Sequence, residues 1–440
     1  MISKVSYIFR LGIAYFKRFK AIIAISIILG VIIFLTLLFL TPYIRNPKVE
    51  RIGLSGRYYS DTLPRPILAF LSDGLTFVDK AGLVEPAIAE SWETPDKGKT
   101  WIFKLKDGLT WHDGTPITSD TLTYDFSDVV IERPDPKTII FKLDQPFSPF
   151  PTVVSSPIFK KGLIGMKDWK VKSISVAGSY IEKLELINSL NETKLYRFYP
   201  TIERTQLAFK LGEIDDIQNL YDPAPFDTWK TVNVIRSINT NEVVTLFFNT
   251  QDPVTSEKSM RQALAYAIDK GNFGERAISS IPSTSWSFNP QVKPYDFDQK
   301  RAKELIDALP KEQKTNISIK LSTNPLLLPI AETIANYWRA IGIATSVQIA
   351  TGSPNDYQAF LTIYDIPKDP DQYTIWHSTQ TTTNISHYAS PRIDKLLEDG
   401  RTTIDLDARR AIYLDFQRFL MEDLPALFLY HPVEYEIIRK

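Results

Sequence analysis

Cysteine is absent from all 440 residues of the chain. Its absence excludes disulfides, thiolate metal sites, cysteine nucleophiles and a lipid attached to an N-terminal cysteine. A protein of this length can be stable without disulfides because its core is large enough. If the chain is tethered to a membrane, a segment of the chain itself must provide the tether.

Histidine is scarce, and the motifs of several enzyme classes are missing. The chain has four histidines, none with a second histidine three or four positions away, the helical spacing of zinc sites. No G-x-S-x-G, H-E-x-x-H or G-x-x-x-x-G-K-[ST] motif occurs. Neighbouring carboxylates such as Asp215 and Asp216 are typical of solvated turns. We therefore predict no catalytic residue, no metal site, no cofactor and no enzymatic activity.

The chain has no net charge, but the charge is unevenly distributed. Lys and Arg number 51, as do Asp and Glu. Residues 1–48 contain seven Lys or Arg and no Asp or Glu, so the remainder has 44 basic against 51 acidic residues, a net charge of −7. This negative charge argues against nucleic acid as a partner.

A long uncharged run lies near the N-terminus, at residues 21–41. It is long enough to cross a hydrocarbon core of about 30 Å, whereas the apolar region of a signal peptide spans only about 7–15 residues. A cleaved signal peptide remains the alternative. The run is preceded by a group of basic residues, Lys4, Arg10, Lys17, Arg18 and Lys20. The positive-inside rule then predicts a single-pass anchor with a cytoplasmic N-terminus and an extracytoplasmic C-terminal domain.

The rest of the chain has the pattern of an α/β protein. Residues 101–106 and 138–143 have strand character, and the apolar run at 243–249 is typical of a strand buried on both faces. Thr118 or Ser119 can begin a short helix. Further helices are predicted after Ser256, after Asp296 or Asp298, and also at 330–341, 392–401 and 405–423.

A strand-rich first half and a helix-and-strand second half predict two lobes. We expect residues 1–48 to form the cytoplasmic segment and anchor, 49–248 lobe 1, and 249–425 lobe 2. Residues 426–440 are expected to return as a strand toward lobe 1. The strand at 243–250 is the best candidate for the crossing between the lobes, and hence for a hinge.

One irregular segment, residues 364–380, has an unusual concentration of carboxylates, aromatic residues and amides. It follows a strand-like stretch, and loops carried by a rigid sheet commonly hold ligand contacts. Asn384 and Tyr388 follow closely. The alternative interpretation is a structural turn anchored by Trp376.

Several sequence blocks occur in an order that resembles the family 5 extracellular solute-binding proteins, the receptors of peptide and nickel ABC importers. The resemblance extends from about residue 51 to the C-terminus. The matching blocks are 83–92, 99–108, 111–116, 209–215, 260–270, 369–371 with 376–378, and 424–425 with 429–430.

The resemblance implies a two-lobed periplasmic-binding-protein-like fold with mixed sheets in each lobe. It also implies capture of a peptide or other small solute by lobe closure and delivery to the permease subunits of an ABC transporter. A sensor or adaptor that is not coupled to transport is the main alternative, and a membrane-anchored hydrolase is a weaker one. Nickel or haem is less expected than peptide as the ligand, because histidines are few and cysteine is absent.

Family members use an aspartate near the segment at 364–380 to bind the α-amino group of a peptide. Here the resemblance leaves Asp365, Asp369 and Asp371 as candidates, because an extra residue separates the possible alignments. The expected ligand-binding residues are Asp365, Asp369, Asp371, Trp376, Asn384 and Tyr388, with Trp376 and Tyr388 forming an apolar wall. After residue 129 the chain is also shorter than its relatives, so lobe 1 is expected to have a trimmed extra subdomain.

Overall fold

The computed structural model of the chain describes residues 18–22, 25–36, 49–310, 317–352, 354 and 356–440. Within these ranges, the helix Arg18–Thr36 is the one helix long and apolar enough to cross a membrane, with a mean hydropathy of 2.6. A membrane span and a signal sequence both fit this length and composition. Lys4, Arg10 and Lys17, and the end of the expected span at 37–41, lie outside the described residues.

The domain that follows residue 48 contains strands and helices in mixed order. The strands are β1 (Val49–Ser55), β2 (Thr76–Val78), β3 (Val84–Pro86), β4 (Ala89–Glu93), β5 (Thr100–Leu105), β6 (Val129–Asp135), β7 (Thr138–Leu143), β8 (Lys170–Ala177), β9 (Tyr180–Ile187), β10 (Thr193–Tyr199), β11 (Asp216–Leu220), β12 (Val232–Ile238), β13 (Glu242–Phe248), β14 (Glu275–Arg276), β15 (Ser318–Thr323), β16 (Ala344–Ile349), β17 (Ala359–Asp365), β18 (Ala426–His431) and β19 (Val433–Arg439). The helices are α1 (Arg65–Leu71), α2 (Phe150–Val153), α3 (Ile202–Lys210), α4 (Lys258–Tyr266), α5 (Gln299–Asp307), α6 (Leu328–Ala340), α7 (Tyr373–Trp376), α8 (Pro391–Thr402) and α9 (Leu406–Asp423).

Lobe 1 is built on a seven-stranded mixed sheet with the order β12-β19-β11-β1-β10-β9-β8. β1 pairs in parallel with β10 and β11, and the remaining pairs are antiparallel. Along β9, buried and more exposed side chains alternate over much of the strand, the pattern expected when one face of a sheet is covered. Ile67 and Leu71 of α1 belong to the apolar cluster on one face of the sheet, and Ala208 and Phe209 of α3 belong to the cluster on the other.

A smaller antiparallel sheet, with the order β4-β5-β7-β6, is inserted into lobe 1 between α1 and β8. Alternate residues of β5 are buried, which places Trp101 and Phe103 in its core. Phe141 and Phe150 pack against them, and the Phe141 and Phe150 ring centroids are 5.0 Å apart. This aromatic core supports the two-stranded hairpin of β2 and β3, whose loop reaches lobe 2.

Lobe 2 is built on a six-stranded mixed sheet with the order β14-β18-β13-β17-β15-β16. Residues Val243–Phe248 of β13 are all buried, because β13 lies inside the sheet and helices cover both faces. The parallel pair β15 and β16 is connected through α6, the usual helical crossover between parallel strands. Lobe 2 therefore has the α/β character that the sequence predicts.

Two short segments connect the lobes and correct the expected boundaries. β12 ends the first stretch of lobe 1 at Ile238, and β13 begins in the sheet of lobe 2 at Glu242. The chain returns at Pro432, between β18 in lobe 2 and β19 in lobe 1. The boundary expected at 248/249 and the hinge expected at 243–250 are therefore wrong, since β13 is an internal strand of lobe 2. Of the expected return segment 426–440, residues 426–431 remain in lobe 2.

Candidate ligand-binding cleft

A cavity of about 450 Å³ lies between the lobes, next to the two connecting segments. Lobe 1 contributes the hairpin loop at 78–82, lobe 2 contributes residues 281–285 and 366–370, and the connection contributes Thr240 and Asn241. The lining side chains come from segments hundreds of positions apart, so only the folded chain assembles them. Enclosure by both lobes makes this hinge cavity the principal candidate site.

The charged side chains that line the hinge cavity are Lys80, Lys368 and Asp79. Asp79 already serves the hairpin loop, because its Oδ1 accepts hydrogen bonds of 2.8 Å from the amides of both Ala81 and Leu83. Loss of solvation lowers the pKa of Lys368, and the charge of Arg65 lowers it further. The cavity therefore has a positive character.

A second cavity of about 340 Å³ lies on the other side of the hairpin loop. Trp92 and Trp101 of lobe 1 and Trp286 of lobe 2 line it, together with Asp369 and Arg409. The Trp286 amide donates a 2.8 Å hydrogen bond to the carbonyl of Ala81, so the hairpin loop separates the two cavities. We call this space the tryptophan cavity. Its aromatic walls can bury an apolar or flat group.

Further contacts join the lobes beside these cavities. The amide of Ser148 in lobe 1 donates a 2.6 Å hydrogen bond to the carbonyl of Arg401 in lobe 2. The Ser148 hydroxyl donates to the carbonyl of Gly400 at 2.9 Å, and the Arg401 guanidinium lies 5.2 Å from the ring centroid of Phe147. The lobes are therefore in contact along the cleft, with the two cavities enclosed between them.

Two of the candidate aspartates are engaged in ion pairs within lobe 2. Asp369 is bound by both terminal nitrogens of Arg409, with Nη1 2.9 Å from Oδ2. Burial opposes the charge of Arg409, but the attraction of Asp369 outweighs it and raises the pKa of Arg409. Asp371 accepts a 2.8 Å hydrogen bond from Nε of Arg401. These arginines neutralise both carboxylates, so neither presents a free charge to the cleft in this structure.

Asp365 is the candidate that remains exposed. It ends β17, opposite Glu242 in the neighbouring strand β13, and the following residue, Ile366, lines the hinge cavity. Burial raises the pKa of Glu242 and outweighs the hydrogen bond donated by Tyr221, and the charges of Glu434 and Asp365 raise it further. Three carboxylates thus concentrate negative charge at the hinge, beside the cavity.

The other three expected ligand-binding residues lie inside lobe 2. Trp376 is 0% exposed, packs against Phe247, and donates an Nε1 hydrogen bond of 2.8 Å to Gln372. Asn384 donates a 2.8 Å hydrogen bond to the carbonyl of Tyr388 and accepts one from its amide, and the Tyr388 hydroxyl donates to Asp423 at 2.6 Å. The structure therefore contradicts the expected apolar wall. These side chains satisfy one another and support the cleft from within lobe 2.

Four residues of the two cavities were not anticipated from the sequence: Lys80, Lys368, Trp286 and Arg409. Lys368 lies within the segment at 364–380, but the composition of that segment draws attention to its carboxylates and aromatic residues. Lys80, Trp286 and Arg409 come from three distant segments with no local signal. Their importance follows from the lobe-to-lobe contact, which a single sequence does not reveal.

The histidines give no sign of a metal centre. His377 is buried, and its Nδ1 and Nε2 atoms lie 2.9 Å from the Thr379 hydroxyl and 3.4 Å from Glu398. Nδ1 of His431 lies 2.7 Å from the carbonyl oxygen of Glu242. Across the described part of the chain, no group of three or more His, Cys, Asp or Glu side chains is placed to hold a metal ion.

Comparison with known proteins agrees with this architecture. The family model of the bacterial extracellular solute-binding proteins, family 5 Middle, matches residues 84–180 and 193–385, together more than half of the chain. The oligopeptide-binding protein AppA of Bacillus subtilis is 23% identical in an alignment that covers 85% of this chain and 83% of AppA.

Two solved structures have the same fold. The ABC transporter substrate-binding protein CtaP of Listeria monocytogenes superposes with a TM-score of 0.74 at 21% identity, covering 90% of this chain and 94% of CtaP. NikZ of Campylobacter jejuni, in complex with Ni(L-His), gives a TM-score of 0.71 at 20% identity, covering 90% of this chain and 95% of NikZ. The two-lobed fold expected from the sequence is confirmed. The chain belongs to family 5 of the bacterial extracellular solute-binding proteins.

Proposed function

We propose that this protein captures a peptide-like solute between its lobes and delivers it, chemically unchanged, to the permease of an ABC importer. The observation that carries this proposal is the hinge cavity, which both lobes enclose next to two short connections. A relative named as an oligopeptide-binding protein, matched over most of both chains, supports peptide as the solute class.

The mechanism that fits this geometry is closure of the lobes about the two connections. Two short connecting segments can absorb a change in lobe orientation while the sheets remain rigid. An extended peptide offers backbone donors and acceptors to the cavity walls and a charged group at each end. Closure removes water from the cavity, which strengthens every ionic contact inside it. The closed pair of lobes then presents a combined surface to the permease.

Within this proposal, Asp365 receives the cationic end of the solute. It is the one of the three candidate aspartates that is exposed, whereas Asp369 and Asp371 are paired with arginines. Glu242 and Glu434 lie close enough for their charges to act together with that of Asp365. A cation placed at this hinge would relieve the repulsion among the three carboxylates, so its binding is favourable.

The two cavities suggest how a peptide is placed. The main chain and termini fit the hinge cavity, and an apolar or aromatic side chain fits the tryptophan cavity on the other side of the hairpin loop. At about 450 and 340 Å³, both lie within the usual range for small-molecule sites.

We also propose that the N-terminal helix remains as a single-pass anchor and holds the lobes outside the cell. The helix Arg18–Thr36 has the required length and apolar composition, and Arg18 and Lys20 at its start favour a cytoplasmic N-terminus. Tethering would keep the receptor near its permease and raise the local concentration of captured solute.

Calorimetry of the full chain with a set of short peptides tests this function. We expect saturable one-to-one binding of unmodified peptide and no cleavage, and Asp365→Asn should weaken binding at least tenfold, about 1.4 kcal/mol. The matched control is Asp128→Asn, which removes an exposed carboxylate that precedes β6. Equal affinity in the wild type and Asp365→Asn would remove Asp365 from the site, and peptide cleavage would indicate a hydrolase instead.

A further inference from the structure

We propose that one end of lobe 1 rests on the membrane surface and holds this lobe in a fixed orientation. The proposal rests on the anchor of the proposed function and goes beyond it, because it assigns a lipid-contacting face to the folded domain. This face lies at the end of the seven-stranded sheet where β1 begins. We call it the anchor-proximal face and define it by Val49, Trp169, Leu190, Leu211 and Trp229.

The short connection between the anchor and lobe 1 is the first observation. The uncharged run of the anchor ends at Thr41, and β1 begins at Val49. The segment between them, residues 42–48, can span at most about 30 Å even when fully extended. The start of β1 is therefore confined to a thin layer above the bilayer.

Strand pairing brings two loops to the same end of the sheet. Val49 at the start of β1 pairs with Thr193 at the start of β10, so the loop 188–192 that joins β9 to β10 lies here. The amide of Asp215 donates a 2.8 Å hydrogen bond to the carbonyl of Arg51, so the turn between α3 and β11 lies here as well. Both loops therefore face the bilayer when β1 starts close to it.

These two loops carry the most exposed large apolar side chains among the described residues of the domain that follows residue 48. Leu190 is 76% exposed and Leu211 is 67% exposed. The backbone holds both outward: the buried Asn188 side chain accepts hydrogen bonds of 3.0 and 2.9 Å from the amides of Leu190 and Glu192, and the Leu211 amide donates one of 2.9 Å to the carbonyl of Leu207. Exposed apolar side chains grouped at one place mark a surface that binds a protein or a membrane.

Half-buried indoles accompany the leucines. Trp169 directly precedes β8, and Trp229 lies three positions before β12; both strands begin at this end of the sheet. An exposed lysine follows each tryptophan, and another precedes Leu211: Lys170, Lys230 and Lys210. Indoles favour the interface between headgroups and hydrocarbon, and a lysine can extend its ammonium to the headgroups while its stem covers apolar surface. The anchor-proximal face therefore has the composition of a surface that contacts lipid.

The anchor makes a small lipid contact sufficient. Two leucines would hold a free protein on a membrane only weakly, because interfacial binding strength scales with the buried apolar area. The anchor already confines lobe 1 near the bilayer, so the contact is intramolecular and its effective concentration is high. Covering Leu190 and Leu211 with lipid then removes apolar surface from water without a further loss of translational freedom.

The hinge lies at the opposite end of this sheet. β11 begins near the anchor-proximal face at Asp216 and ends at Leu220, and the next residue, Tyr221, donates a 2.8 Å hydrogen bond to Glu242 of β13. At about 3.3 Å per residue, β11 holds the hinge roughly 15 Å farther from the bilayer than the face. Lobe 1 is thus the fixed base, and lobe 2 moves about the hinge on the side away from the membrane.

Site-directed fluorescence of the full chain in vesicles tests this contact. The chain has no cysteine, so Leu190→Cys and Leu211→Cys can each carry one fluorescent label. The controls are Val130→Cys in the inserted sheet and Val176→Cys near the far end of β8, at positions that are 62% and 61% exposed. In vesicles of phosphatidylethanolamine and phosphatidylglycerol, we expect lipids with spin-labelled headgroups to quench the two leucine positions about threefold more strongly than the two valine positions.

The outcomes separate this inference from the proposed function. Equal quenching at all four positions would overturn the lipid-contacting face and leave the anchor standing. Leucine positions that are shielded from aqueous iodide but not quenched by lipid would show that a second copy of the chain covers the face, and would also overturn the proposal. Release of the chain from the vesicles by alkaline carbonate would overturn both the anchor and this inference. Calorimetry of the reconstituted chain with peptide tests solute capture independently.

A pair of double substitutions tests whether the leucines cause the contact. The reporter is a label on Ser189→Cys, an exposed position in the loop between β9 and β10. Adding Leu190→Gln and Leu211→Gln should reduce the lipid quenching of this label about threefold, whereas Val130→Gln and Val176→Gln should leave it unchanged. Peptide affinity should be the same in both double variants, because none of the four side chains lines the cleft cavities. Quenching that survives the leucine substitutions would overturn the role of the leucines.

Discussion

Asp216 gives the most direct test of the electrostatics of lobe 1. Burial raises its pKa to about 7, and the charges of Glu436 and Glu50 contribute to the rise. The Nε2 atom of Gln218 lies 3.0 Å from Asp216 Oδ2 and 3.1 Å from Glu436 Oε1, so one amide serves both carboxylates. The second oxygen of Asp216 is buried without a hydrogen-bond partner. We predict that Asp216→Asn stabilises the protein at alkaline pH.

The sign and size of the effect follow from the thermodynamic linkage between protonation of Asp216 and folding. Because the folded pKa is raised, the stability contribution of Asp216 is complete below its unfolded pKa and is lost as the pH rises through about 7. A rise of about three units at 1.36 kcal/mol each corresponds to about 4 kcal/mol. Part of this loss of stability occurs below pH 5, and the coupled titration of Glu436 accounts for another part. We therefore expect the unfolding free energy to fall by about 2 kcal/mol between pH 5 and pH 8 because of Asp216.

Urea unfolding of the full chain at several pH values between 5 and 8 measures this effect. The stability of Asp216→Asn relative to the wild type should increase by about 2 kcal/mol over that range. Asp128→Asn serves as the control and should show no such increase. A constant difference between Asp216→Asn and the wild type at every pH would mean that Asp216 is ionised throughout, and a raised pKa would then be wrong.

Three further predictions concern the stability of the folded chain. Arg409→Met leaves the Asp369 carboxylate buried without its partner and should cost about 3–5 kcal/mol of unfolding free energy, measured by urea denaturation; no measurable loss would contradict the buried ion pair. Trp376→Ala removes a fully buried side chain in lobe 2 and should also lower the unfolding free energy by about 3–5 kcal/mol. The peptide affinity of the folded protein, measured by calorimetry, should not change, and a large loss of affinity would show that Trp376 contributes to ligand binding. Gly165→Ala drives a Cβ against the carbonyl of Leu71 and should cost about 1–3 kcal/mol, seen as a lower unfolding midpoint; an unchanged midpoint would show that the backbone can move there.

Helices with strong local signals were predicted well from the sequence. Asp298 caps α5 by accepting a 2.8 Å hydrogen bond from the amide of Arg301, and Asp405 caps α9 by accepting one from the amide of Ala408. Side-chain capping is a local interaction, so the sequence contains the information.

The prediction of a short helix beginning at Thr118 or Ser119 is wrong. The structure has only one turn of 3-10 helix, Ser119–Thr121, followed by irregular chain. The apolar residues that follow, Leu122, Tyr124 and Phe126, are two positions apart, which suits an extended chain better than a helix. Tyr124 and Phe126 pack against the ring of Phe141 instead.

The sequence indicated which segment borders the candidate cleft, but it did not indicate which charges in that segment are neutralised. The segment at 364–380 does border both cavities, as its polar and irregular composition suggested. The sequence did not show that Arg401 and Arg409, 30 and 40 positions beyond their partners, neutralise two of the three aspartates. Ion pairs between distant segments depend on tertiary structure, so a single sequence cannot assign them. The same reason explains why Lys80 was missed.

The proposed function requires that the two lobes hold one small solute and release it unchanged. Native mass spectrometry of the full chain, purified without added ligand and then incubated with short peptides, measures both properties. We predict a population shifted by the mass of one solute per chain, and recovery of the intact solute after unfolding. The mass of the bare chain under every condition, or recovery of cleaved peptide, would contradict the account.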